Sequence, residues 1–305
     1  TADRNALASI ARQSDKQGIE VLIAKADMHL NERQREVVGK APVYDITVKS
    51  GGKKISTFEG GSMTIALPYE LKAGELPNRV VIRYVDEMGN VEDVKSRYDV
   101  KAKQVVFQTD HLSKYVISYE PWVNLYRDVN EDDWYFQAVK FIAERNFMSG
   151  TGEEMFSPSV LTTRGMLVSI LHRMEELPKA GDNPFVDVAD GMYYTEAVKW
   201  AFEKDIVKGY STDTFGPNDH LTREQVALIM RNYAQYKGAN AEKTSDLSIF
   251  EDGESVSPWA MSALEWAHAE GIVSGKPGMM LDPKGYATRA EIATILMKWI
   301  EMLNQ

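Results

Sequence analysis

The spacing of apolar residues changes near residue 122. Before it, apolar positions alternate with polar ones or gather in short β-branched runs, at Ile19–Ala24, Val43–Lys49, Ser62–Leu67, Val80–Val85, Gln104–Thr109 and Lys114–Tyr119. Successive side chains of an extended chain point to opposite faces, so each run predicts a strand. Turn-forming residues separate the runs: Ser50-Gly51-Gly52, Gly60-Gly61, Lys72-Ala73-Gly74 and Met88-Gly89-Asn90. Helical spacing adds two short helices, near Ala2–Gln13 and His29–Val38. Short strands at this density predict an N-terminal β-rich, sandwich-like domain over residues 1–121, closed by Glu120-Pro121-Trp122.

From residue 122 onward the period becomes helical, as in Ala138, Phe141, Ile142 and Ala197, Trp200, Ala201. The pattern also repeats. Ala138, Ala197 and Ala263 are each preceded at four residues by an aromatic, Trp134, Tyr193 and Trp259. Each is followed at twelve residues by a glycine, Gly150, Gly209 and Gly275. A proline stands eight residues beyond each glycine (Pro158, Pro217, Pro283), and a Thr-Arg pair ends six residues further on, at Arg164, Arg223 and Arg289. Upstream lie Tyr126-Arg127-Asp128, Phe185-Val186-Asp187 and Phe250-Glu251-Asp252, the last aligned by one inserted residue. The boundaries this phase implies are 122–182, 183–245 and 246–305.

Each unit predicts helix, loop, helix. The first helix ends near Asn146, Asp205 or Gly271, residue types that tolerate the left-handed conformation of a helix stop. The second begins at the Thr-Arg pair. Thr222-x-x-Gln225 and Thr288-x-x-Glu291 are capping boxes, whereas Thr163 is followed by Met166 and forms only half of one. One helix pair cannot bury its own apolar face, but three can share a core, so the expected fold is an all-α pseudo-threefold bundle behind the β-rich domain, a multidomain α+β chain.

Charge divides the chain at the same place. Residues 1–121 carry 18 Lys and Arg against 17 Asp and Glu, net +1; residues 122–305 carry 17 against 28, net −11. An acidic half argues against nucleic acid as partner. There is no cysteine, which excludes disulfides and thiol chemistry. No apolar run reaches the ~18 residues of a membrane span. Residues Thr1–Gln13 lack the basic-then-apolar order of a secretion signal, so the sequence reads as a mature form or a piece of a longer protein.

The arginines need more than capping. A cation in the first helical turn faces the positive end of the helix dipole, yet it recurs three times at one offset. Two explanations stand: the guanidinium grips an anionic ligand beside open helix N–H groups, or it pairs with Asp128, Asp187 or Asp252.

The F-x-D start, the aromatic-x-x-x-Ala helix, Gly271–Gly275, Phe215–Pro217 and Thr288–Glu291 together resemble the S-layer homology domain of bacterial surface proteins, over about Leu125–Gln305. The resemblance implies a three-pronged spindle whose grooves bind secondary cell-wall polysaccharide, a glycan linked to peptidoglycan. Its terminal N-acetylmannosamine typically bears a pyruvate ketal. It implies groove roles for Arg164, Arg223, Arg289, Gly150, Gly209 and Gly275, then for Asp128, Asp187, Asp252, Trp134, Tyr193 and Trp259. For the aromatics, plain core packing is the competing explanation. Judged by its motif, the groove around Arg289 ranks first and that around Arg164 last, because the first unit has Thr-Arg-Gly-Met. Residues 1–121 resemble a β-rich segment that precedes such repeats in surface proteins of Firmicutes, and read as a spacer or stalk. The implied location is extracellular, at the cell wall or surface layer of a Gram-positive cell. Expected alternatives are self-association in a surface lattice, or service as the anchor of a surface glycoside hydrolase.

No catalytic, cofactor or metal site is expected. Asp128-x-Asn130-x-Asp132 opens like a calcium loop, but Asp133 and Val139 stand where such a loop needs Gly and Glu. The five histidines show no metal spacing. An enzymatic site within residues 1–121 is the third competing possibility.

Overall fold

The computed structural model describes residues 1–14, 18–26, 41–86, 88 and 90–303. The chain forms two compact units, Thr1–Val123 and Asn124–Gln305.

The first unit opens with α1 (Arg4–Gln13), capped by Asp3, whose Oδ1 accepts the Ala6 N–H at 2.7 Å. Among the described residues nine strands follow: β1 (Ile19–Ala26), β2 (Val43–Ser50), β3 (Lys53–Ile55), β4 (Met63–Pro68), β5 (Val80–Val85), β6 (Val91–Val94), β7 (Ser96–Asp99), β8 (Gln104–Thr109) and β9 (Lys114–Tyr119). All six expected strands are present. The three unexpected ones are short and carry charged residues, such as Lys53-Lys54 and Glu92-Asp93, so no alternation marks them. The helix expected at His29–Val38 lies outside the described residues. One antiparallel sheet runs β1-β2-β9-β5-β6, with β3 also on β2; the other runs β4-β8-β7. Both sheets supply the core: Ile46, Val48, Ile82 and Ile117 from one, Ile65, Leu67, Val105 and Phe107 from the other, with Ala6 and Ile10 from α1. Alternation sorts β4, where Ile65 and Leu67 are buried while Thr64 and Ala66 are exposed.

The second unit has six α-helices among the described residues: α2 (Phe136–Glu144), α3 (Arg164–Met174), α4 (Thr195–Glu203), α5 (Arg223–Tyr236), α6 (Met261–Ala269) and α7 (Arg289–Leu303). The first helices of the repeats are followed by left-handed Asn146 (φ 59°), Asp205 (φ 56°) and Gly271 (φ 69°), as their residue types predict. The second helices begin at the motif arginines. Thr222 with Gln225 forms the full capping box. Thr288 with Glu291 makes both reciprocal bonds (Thr288 N–H to Oε2, 2.8 Å; Glu291 N–H to Oγ1, 3.3 Å). Thr163 makes only the forward one, to the Met166 N–H.

The second helix of each repeat packs on the first helix of the next, α3 on α4, α5 on α6, and α7 back on α2. The repeats therefore close on themselves. Their centre is a ring of three backbone hydrogen bonds: Thr162 N–H to Ala287 O (2.9 Å), Ala287 N–H to Leu221 O (2.9 Å) and Leu221 N–H to Thr162 O (3.0 Å). One continuous core joins the repeats, with Trp200, Trp266 and Trp299 fully buried.

Candidate functional site

The three motif arginines start their helices and are buried, 6–7% exposed. Each reaches into the next repeat and donates two hydrogen bonds to backbone carbonyls. Arg164 Nε donates to Phe215 O and Nη2 to Lys208 O, both at 2.8 Å. Arg223 does the same to Leu281 O (3.0 Å) and Ser274 O (2.9 Å). Arg289 closes the circle on Phe156 O (2.9 Å) and Ser149 O (2.7 Å). The Arg164 guanidinium also lies over Phe215 and Tyr210, 4.4 and 4.6 Å from the ring centres. Burial pushes the pKa of Arg164 and Arg289 down, against the pull of nearby Tyr210, Asp219 and Asp128. Both stay charged, since guanidinium is not deprotonated in proteins.

Two sequence expectations are corrected here. The helix N–H groups are not open to a ligand. Those of Arg164 and Gly165 bond Asp219 O and Pro217 O, those of Arg223 and Glu224 bond Gly285 O and Pro283 O, and those of Arg289 and Ala290 bond Val160 O and Pro158 O. Nor do the early acids pair with the arginines. Asp128 accepts the Phe156 and Ser157 N–H groups (2.8 and 2.7 Å), Asp187 those of Phe215 and Gly216 (2.8 and 2.7 Å), and Asp252 those of Leu281 and Asp282 (2.7 and 2.8 Å). The acid holds one side of each proline loop or its counterpart, and the arginine of the preceding repeat holds the other.

The glycines make room for this loop. A Cβ on Gly209 would stand 2.4 Å from Ser211 O and 2.6 Å from Phe185 Cε1; on Gly275 it would stand 2.5 Å from Phe250 Cε1, and on Gly150, 2.8 Å from Tyr126 Cε1. The aromatic that opens each repeat thus packs where a side chain would be.

Clefts open beside two of the arginines. One of about 780 Å³ is lined by Arg164, Gly209, Tyr210, Gln225, Asn232 and Trp259, among others. Another of about 430 Å³ is lined by Arg223, Gly275, Lys276, Glu291, Lys298 and Trp134, among others. Each combines three repeats: an arginine from one, a loop and second helix from the next, an aromatic from the third. Trp134, Tyr193 and Trp259 are 68%, 62% and 51% exposed, so core packing does not explain them.

This arrangement also changes the expected ranking of grooves. The residue two after each motif arginine lines the cleft of the preceding repeat's arginine: Gln225 that of Arg164, Glu291 that of Arg223. By the same threefold relation Met166 belongs with Arg289. The incomplete motif of the first repeat is no mark against the Arg164 cleft, which the sequence placed last.

Sequence reasoning missed the residue nine beyond each motif arginine, namely Arg173, Asn232 and Lys298. A polar residue recurring at one phase of the second helices was the available signal. Asn232 Nδ2 bonds Ile206 O at 3.1 Å, and Arg173 bonds Phe147 O, so two of the three brace the loop after the left-handed stop.

Comparison with known proteins identifies the family of the repeats. The S-layer homology domain family matches residues 125–165, 184–227 and 249–293. An amylopullulanase of Thermoanaerobacterium thermosulfurigenes is 30% identical over 276 residues, 87% of this chain and 14% of that protein. Exoglucanase XynX of Acetivibrio thermocellus is 34% identical over 182 residues (57% and 16%), and the surface-layer 125 kDa protein of Lysinibacillus sphaericus 31% over 171 (55% and 14%). The chain therefore spans only about a sixth or less of each relative's length. The amylopullulanase alignment is longer than the C-terminal unit, so it extends into the β-rich one. Among the described residues no helix is long and apolar enough to cross a membrane. The chain is an S-layer homology domain protein of the cell surface, its C-terminal unit three copies of a non-catalytic domain that anchors surface proteins to the cell wall.

Proposed function

We propose that the C-terminal unit holds its parent protein to the wall by binding secondary cell-wall polysaccharide, and that it recognises the carboxylate of a pyruvate ketal on terminal N-acetylmannosamine. The observation that carries this reading is the pairing of an exposed tryptophan with a sheltered guanidinium in one cleft, Trp259 with Arg164 and Trp134 with Arg223. An indole face packs against the apolar face of a sugar. A guanidinium in a sheltered cleft gives a carboxylate a directed partner. In this reading Arg164, Arg223, Arg289 and Trp134, Tyr193, Trp259 touch glycan. Gly150, Gly209 and Gly275 shape the groove floor, and Asp128, Asp187 and Asp252 act through the loops they hold. The net charge of −11 on this half is compatible, because exposed charges beyond ~8–10 Å are screened at physiological salt. Several grooves on one rigid unit act together, since binding at one raises the local concentration of polymer at the next.

The parent would then use the anchor to present other domains, a glycoside hydrolase being one that the named relatives suggest. Similarity to a surface-layer protein favours a second reading, self-association into a lattice. A pull-down of the chain on purified sacculi separates the two. Retention lost on chemical removal of pyruvate supports the carboxylate reading, whereas retention that ignores pyruvate refutes it. Sheets that form without any glycan favour the lattice.

A further inference from the structure

The three junctions between repeats are built alike except beneath the exposed aromatic. The residue after each motif arginine, Gly165, Glu224 or Ala290, turns its backbone N–H onto the proline loop of the next repeat. At two junctions that residue is small, and the next repeat sets a tyrosine beside its exposed aromatic. Tyr194 packs over Gly165, where a Cβ would stand 3.1 Å from Tyr194 Cδ1, and it meets the Tyr193 ring edge-on at 4.9 Å. Tyr135 lines one recess with Ala290 and meets Trp134 edge-on at 5.3 Å. At the third junction the residue after Trp259 is Ala260, and no ring of the described residues lies against the indole. Glu224 stands there instead, its side chain 4% exposed. Its Oε2 accepts the Ser257 N–H at 3.0 Å and its Oε1 the Ser257 hydroxyl at 3.1 Å, while Lys284 Nζ donates to both oxygens at 2.8 and 3.0 Å. Lys284 donates to the Ser257 hydroxyl as well.

Ser257 opens the turn that carries Trp259, and the Ala260 N–H closes that turn on Ser257 O at 2.9 Å. Whatever holds Ser257 therefore holds the base of the indole. A carboxylate taken out of water persists only where its oxygens are filled, and here one serine and one lysine fill both. Neither partner recurs: Asp132 and Gly191 stand where Ser257 does, Ser159 and Asn218 where Lys284 does. We infer that Glu224 is a positioning residue for Trp259. Clamped with Lys284 on Ser257, it fixes the turn that presents the indole to the Arg164 cleft, which Trp259 lines. It does by hydrogen bonds what Tyr135 and Tyr194 do by ring contact for Trp134 and Tyr193. A side chain ordered beforehand loses less freedom when a sugar meets it. The consequence for binding rests on the glycan reading above; the ordering of the indole does not.

The test reads the indoles directly. In the ¹⁵N-labelled full chain, Glu224→Ala should lower the ¹H–¹⁵N heteronuclear NOE of the Trp259 indole and leave that of Trp134, which stands on Tyr135, as it was. Affinity for purified sacculi should fall about twofold to tenfold, the cost of ordering a freed side chain on binding. In a Trp259→Ala background the same substitution should change affinity no further, because it acts through the residue already removed. Glu224→Gln keeps the volume and an oxygen for the Ser257 N–H but gives up the ion pair with Lys284. It should move both readouts in the same direction by less, and it serves alone if the alanine variant does not fold. An unchanged NOE at Trp259, equal loosening of Trp134, or a binding loss that persists in the Trp259→Ala background overturns the inference and leaves glycan binding intact. If the unaltered chain is not retained by sacculi, the glycan reading falls and the NOE alone judges the clamp.

Discussion

Asp128 and Arg289 grip the same residue from opposite sides. The carboxylate of Asp128 accepts the N–H of Phe156 at 2.8 Å, and Nε of Arg289 donates to the carbonyl of Phe156 at 2.9 Å. Asp187 and Arg164 do this to Phe215, Asp252 and Arg223 to Leu281. Asp128→Asn should therefore destabilise the C-terminal unit although no ion pair is broken, because one oxygen of the pair becomes a donor facing a peptide N–H. The expected cost is about 1–3 kcal/mol in urea unfolding. A change below about 0.5 kcal/mol, the range of ordinary surface substitutions, would mean the loop does not depend on this acid.

The tryptophans should separate folding from binding. Trp134→Ala and Trp259→Ala remove exposed side chains, so stability should change by no more than about 0.5 kcal/mol. Retention on sacculi should fall in both. Trp266→Ala empties a fully buried site and should cost about 3–5 kcal/mol. Thermal unfolding and sacculus binding, measured on the same three variants, check the contrast.

The half-made cap of the first repeat can be completed. Thr163 bonds the Met166 N–H but receives nothing in return, whereas Thr222 and Thr288 receive a side-chain oxygen. Met166→Gln should raise the melting temperature. Thr222→Ala should cost about 1 kcal/mol and Thr163→Ala less, because only one bond of the box is present to lose. Equal losses at the two threonines would contradict the reciprocal bond.

In the β-rich unit, stability should fall in alkali through Tyr115. Its ring is fully buried, its hydroxyl donates to His111 O at 2.9 Å, and burial pushes its pKa up to about 12 from an ordinary 10. Below pH 10 the hydroxyl is protonated in both states and its contribution is complete. Between about 10 and 12 the unfolded chain loses the proton first, so stability declines as pH rises, by about 2–3 kcal/mol in all. Tyr115→Phe should lack this decline. Denaturation of both proteins from pH 9 to 12 gives the difference, which cancels the other tyrosines.

Much of the helical unit was legible because its signals are side chains at fixed spacing. The left-handed types Asn146, Asp205 and Gly271 marked the helix stops, and Thr163, Thr222 and Thr288 marked the starts, with even the missing half of the first cap visible in Met166. The role of the arginines was not legible. Their partners are carbonyl oxygens of Ser149, Lys208 and Ser274 and of Phe156, Phe215 and Leu281. A backbone oxygen leaves no trace in residue identity. For the same reason nothing in the sequence showed that Gln225 and Glu291 serve a neighbour's groove, since that follows from the handing of each second helix to the next repeat. In the β-rich unit the long runs were readable, while β3, β6 and β7 are too short and too charged to show a period.

The reach of Arg289 back to Ser149 and Phe156 has a consequence for evolution and engineering. A solenoid can gain or lose a copy at its end and keep its character. A circle joined at Thr162, Leu221 and Ala287 has no end. Deleting one repeat would strand the arginine clamp of another and expose a core face of a third, and a fourth copy would find no seat. Within this fold the three repeats form one closed unit, and its clefts can change by substitution within a fixed number of arms.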